Sequence, residues 1–79
     1  MVHGTGWLWF NRRKLPSLAL AIEAASRDFH DKFHAWPSSV QVNPDWLAES
    51  GITNPIVKPS QLTSREYVHC WGVPEEGRL

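Results

Sequence analysis

Pro16-Ser17-Leu18-Ala19-Leu20-Ala21-Ile22-Glu23-Ala24-Ala25-Ser26-Arg27-Asp28-Phe29-His30-Asp31-Lys32-Phe33-His34-Ala35-Trp36 is the stretch that decides how the rest of the chain folds. Within it Leu18, Ile22, Ala25, Phe29, Phe33 and Trp36 recur at steps of four, three, four, four and three, which trace one face of an α-helix. Pro16 suits a first helical turn, where its missing N–H is not needed, and Pro37 disfavours helical backbone at Trp36. The spacing therefore predicts a helix over about Pro16 to Ala35. The opposite face carries Glu23, Arg27, His30, Asp31 and His34, with Arg27 four residues before Asp31 and Asp28 four before Lys32, and it is expected to be wet.

Such a helix must bury its apolar stripe against something, and the flanking segments supply strands. Gly6-Trp7-Leu8-Trp9-Phe10, between a glycine and a charged turn, reads as a first strand. Ser39-Val40-Gln41-Val42 alternates polar and β-branched residues, as a strand with one buried side does. Asn43, Pro44 and Asp45 then give a helix cap, a first helical residue and a favourable first-turn charge, and Gly51 gives a terminator, so a short helix over Pro44 to Ser50 is expected to bury Trp46 or Leu47. Thr53 to Ser60 holds Pro55 and Pro59 around Ile56-Val57 and permits at best an edge strand. Tyr67 to Trp71 favours a last strand, although Thr63 and Glu66 stand at capping-box spacing with Leu62 and Tyr67 placed as a staple, which would instead start a helix. Of the two, the strand is the reading adopted. The charged tail Glu75-Glu76-Gly77-Arg78 lacks an apolar period and is expected to fray.

The expected fold is thus α+β: a two-layer sandwich, one long amphipathic helix on a small antiparallel or mixed sheet of three to four strands, in the order β-α-β-(short α)-β-β. With 79 residues the chain holds a single core and reads as one domain over 1–79. A chain of this size buries only about 60% of its unfolded surface, which makes help from a metal or a second subunit worth seeking. Its one cysteine, Cys70, cannot pair within the chain and fits a reducing compartment, so a cytoplasmic protein is expected.

Eight Lys and Arg balance eight Asp and Glu, so no global field recruits a polyanion, although Asn11-Arg12-Arg13-Lys14 forms a local basic patch. Leu18 to Ile22 is far shorter than the roughly 20 residues a membrane span requires. Arg12-Arg13-Lys14 before Leu15 to Ala21 imitates a signal peptide, but Glu23 interrupts the apolar segment and Trp7 to Phe10 precedes the charges, so the chain is read as mature protein.

Period two assigns Leu8, Phe10, Val40, Val42, Val68 and Cys70 to the faces that meet the helix. Trp7, Trp9, Tyr67, His69 and Trp71 are then left on a second, aromatic face that the long helix cannot cover. Either the short helix and the Pro-rich loop fold over those rings, or the rings form an interface. The interface reading makes the chain a small non-enzymatic binding or assembly module that associates with itself or another protein. The alternative is single-stranded nucleic-acid binding by stacking on the same rings beside Arg12, Arg13 and Lys14, although neither an RNP-type motif nor a glycine-rich phosphate loop is present.

A second alternative is a small metal-dependent or cysteine enzyme. His30 and His34 sit four apart on the helix, as two ligands of one metal do, and His69, Cys70 or His3 would have to complete the set. Asp31 follows the first histidine where a protease-like site would have glutamate. Two solvated histidines are the simpler reading, so no metal or other cofactor is expected. Cys70 reads as a buried, inert thiol rather than a nucleophile, because His69 beside it on a strand points the other way.

Overall fold

The fold was obtained as a computed structural model, and the structure describes residues 4–73. It is α+β: β1 (Thr5–Phe10), α1 (Leu18–Phe33), β2 (Ser39–Val42), α2 (Pro44–Ser50), β3 (Val57–Pro59) and β4 (Tyr67–Gly72). The four strands form one mixed sheet in the order β1-β4-β2-β3. β4 is antiparallel to both β1 and β2, whereas β2 and β3 run parallel.

α1 starts two residues later than its spacing suggested because Ser17, in extended conformation, is the cap: its hydroxyl accepts from the Leu20 amide at 3.1 Å. It stops at Phe33, where His34 turns the backbone left-handed at φ 59° and donates its N–H to the His30 carbonyl. Leu18, Ala21, Ala25 and Phe29 are buried, with Ile22 and Phe33 packed beside them. Trp36 departs from the expected stripe. Lying past the cap, it leaves the 3.6-residue period, stands 62% exposed and stacks on His30 with ring centroids 4.2 Å apart.

α2 matches the sequence residue for residue. Asn43 accepts from the amides of Asp45 and Trp46, while its own amide group donates to the Thr63 carbonyl and ties the helix to the loop before β4. Arg65 adds a two-pronged bond to Glu49 at 2.6 and 2.9 Å from the same loop. That loop makes no helix: Leu62 is 98% exposed and cannot staple anything, Thr63 is buried, and the chain enters β4 at Tyr67.

The principal correction concerns β1. Trp7 and Trp9, expected on the far face, point into the core, and Leu8 and Phe10, expected against the helix, point out. Register carries this across the sheet, since Trp7 lies opposite Cys70 and Trp9 opposite Val68, both core residues. Every residue from Trp7 to Phe10 is apolar, so alternation alone cannot choose a face. The larger rings win the interior because they bury more area and because the Trp9 indole finds an acceptor there. Trp7 packs on Phe29 and Phe33 at centroid distances of 6.5 and 6.3 Å. Trp9 donates from Nε1 to the Asp28 carboxylate at 2.8 Å.

Candidate association surface

The outer face of the sheet is set by the same register. Gly6 lies opposite Trp71, Leu8 opposite His69 and Phe10 opposite Tyr67, while Ser39 and Gln41 of β2 flank Trp71 and His69 on the other side. The face is therefore lopsided, apolar along β1 and β4 and polar toward β2 and β3, where Ser39, Gln41 and Lys58 take over. Leu8 is 51%, Phe10 45% and Trp71 39% exposed. Phe10 and Tyr67 rings meet at 5.3 Å, and His69 and Trp71 rings at 4.9 Å.

The Trp71 ring lies across β1 directly over Gly6. A Cβ on Gly6 would come within 2.8 to 3.0 Å of the Trp71 ring. Among the described residues no second layer covers this face. α2 packs beside α1, with Trp46 in the core on the helix side, so the short helix does not close over the outer rings. The expected aromatic face thus exists with altered membership: Tyr67, His69 and Trp71 belong to it, Leu8 and Phe10 replace Trp7 and Trp9.

Arg12 and Arg13 occupy an exposed turn directly after Phe10. Asn11 braces that turn, its side chain accepting from the Leu15 amide at 2.9 Å and donating to the Leu15 carbonyl at 3.2 Å. Lys14 follows with φ 52°. A cleft of about 490 Å³ runs along β1, with Arg12 and Arg13 at one end and Asp28 of α1 on its wall.

The residues considered for metal or nucleophilic chemistry are not brought together. His30 stacks on Trp36, and His34 is the helix cap. His69 lies on the far side of the sheet from them, and Cys70 is buried between sheet and helix. His3, the remaining candidate ligand, lies outside the described residues, as does the charged tail. Among the described residues no group of three or more His, Cys, Asp or Glu could hold a metal ion. Burial pushes the Cys70 thiol up to about 12, away from the thiolate a nucleophile needs. Among the described residues no helix is long and apolar enough to cross a membrane.

Leu8 and Phe10 are the surface residues that sequence alternation missed. The signal lay in Trp9, whose indole N–H needs a partner when buried, and an acidic residue on the adjoining helix supplies it. Compared with protein-family models, with curated proteins and with solved structures, the chain finds no match.

Proposed function

We propose that the chain is a small binding and assembly module that associates with a second copy of itself through the outer sheet face, with Leu8, Phe10, Tyr67, His69 and Trp71 as the contact. The supporting observation is the half-exposed apolar group on a face that no described element covers. Exposed patches of this kind mark association surfaces, and aromatic residues are enriched in interface centres. Two sheets meeting face to face would stack about 10 Å apart and give each the second layer it lacks. The lone thiol fits a reducing compartment such as the cytoplasm.

Stacking of single-stranded nucleic acid is the second reading, favoured by one feature: the Phe10–Tyr67 ring pair lies next to Arg12 and Arg13. Sedimentation velocity over a dilution series, with and without a short labelled oligonucleotide at low salt, separates the two. Association of the chain alone supports the first. A monomer that co-sediments with the oligonucleotide, and releases it as salt rises, replaces it with the second.

A further inference from the structure

The sheet ends in two edges that the chain treats differently. β3 is three residues long and closes on Pro59, which has no N–H to offer. β1 runs for six residues, Thr5–Phe10, with no proline and no charge, the devices that ordinarily blunt an edge.

Its unpaired groups can be identified. The Asn11 amide donates to the Glu66 carbonyl at 2.8 Å, one step beyond the Phe10–Tyr67 pair. Antiparallel alternation then turns the backbone groups of Thr5, Trp7 and Trp9 toward β4 and those of Gly6, Leu8 and Phe10 outward. The Phe10 carbonyl already accepts from the Arg12 amide. Among the described residues, the N–H groups of Gly6, Leu8 and Phe10 and the carbonyls of Gly6 and Leu8 remain without a partner, with alternate residues roughly 7 Å apart, as an incoming strand requires.

The cleft along this edge also has a charge pattern. Asp28 on its wall is held by the Trp9 indole, whereas among the described residues Arg12 and Arg13 form no ion pair. A second β1 added antiparallel about Leu8 would set Gly4 opposite Arg12 and no carboxylate opposite Arg13, leaving both without a counter-charge. An acidic end on the incoming strand supplies one.

We infer that the β1 edge is a strand-accepting site whose occupant is an extended apolar peptide carrying acidic residues at its N-terminal end, added antiparallel so that those residues reach Arg12 and Arg13. Backbone bonds to Gly6, Leu8 and Phe10 give the affinity, and the arginines fix direction and register. This site is separate from the proposed self-association, which uses the sheet face and does not need a peptide.

The probe is a dye-labelled peptide, Asp-Glu-Val-Thr-Val-Thr-Val-Thr, titrated with the whole chain at low salt and followed by fluorescence anisotropy. The same peptide N-methylated at alternate amides should fail to bind, and a Lys-Lys version should bind about tenfold more weakly. The exposed-turn variant Arg12→Glu/Arg13→Glu should reverse the preference between the acidic and basic probes. Amide exchange should slow at Gly6, Leu8 and Phe10 on binding and stay unchanged at Trp7 and Trp9. Absence of binding by the acidic probe to folded protein, or equal binding of the N-methylated probe, would overturn the assignment. Protection of those three amides in the free chain, scaling with protein concentration, would also overturn it by giving the edge to a second copy. A monomeric free chain that binds the probe leaves this site standing while removing the self-association reading.

Discussion

The Trp9 indole and the Asp28 carboxylate, 2.8 Å apart, join the sheet's edge strand to the long helix. Removing Trp9 should therefore damage the monomer rather than its assembly. Trp9→Ala is expected to lose about 3–5 kcal/mol, the range for deleting a core aromatic. Asp28→Ala, which strands the buried donor, should lose about 1 kcal/mol. Leu8→Ala should stay within roughly 0.5 kcal/mol because Leu8 packs on nothing in the core. Urea unfolding of the three variants checks the ranking.

Two strand glycines sit beneath aromatic rings on opposite faces, and they should respond differently to a methyl group. At Gly72 a Cβ would come within 2.8 Å of the buried Phe29 ring and 3.3 Å of the Pro37 Cα. Gly72→Ala should thus lose about 1–3 kcal/mol by overpacking. At Gly6 the obstacle is the exposed Trp71 ring, which can swing away. Gly6→Ala should leave the unfolding midpoint nearly unchanged while altering the near-UV circular dichroism as Trp71 leaves its seat.

His34 holds a left-handed backbone that L-residues adopt at a cost of about 1–2 kcal/mol. His34→Gly relieves it and should raise stability by about 0.5–1 kcal/mol, the gain being reduced by the greater freedom of glycine in the unfolded chain. Thermal unfolding measures this, and His34→Val at the same position should move the midpoint down.

Cys70 titrates above its ordinary 9.0 because burial disfavours the thiolate. The folded chain therefore holds this proton more tightly than the unfolded chain. The stability it contributes is complete below pH 9.0 and is lost as pH rises toward about 12. By pH ~10 the loss attributable to Cys70 should be about 1 kcal/mol, read as the difference between the wild-type chain and Cys70→Val in urea. Alkylation with iodoacetamide at neutral pH should proceed only on unfolding.

Much of the fold was legible where one local rule spoke alone. The i, i+3, i+4 spacing from Leu18 to Phe33 located α1, the Asn43-Pro44 cap and Gly51 bounded α2, and the alternation in Ser39 to Val42 placed β2 with its valines inward. Pro55 and Pro59 correctly kept β3 at an edge. The errors fell where a rule was silent. Trp7 to Phe10 is apolar at both parities, so its facing depends on a partner nineteen residues away in α1, which no window along the chain can see. Trp36 obeyed the helical spacing but lay beyond the His34 cap, a left-handed turn with no glycine to announce it. For the candidate surface, β4 was read correctly and β1 inverted, so the outer face kept its place and apolar character but exchanged two tryptophans for Leu8 and Phe10.

Light scattering behind size exclusion over a concentration series shows whether the outer face is an interface. The wild-type chain should run as a dimer or larger species that dissociates on dilution. Leu8→Thr/Trp71→Thr, which keeps strand-forming residues and leaves the core intact, should run as a monomer with an unchanged far-UV spectrum. A wild-type monomer at every concentration, or a double variant with the wild-type mass, would show that the outer face is not a self-association surface.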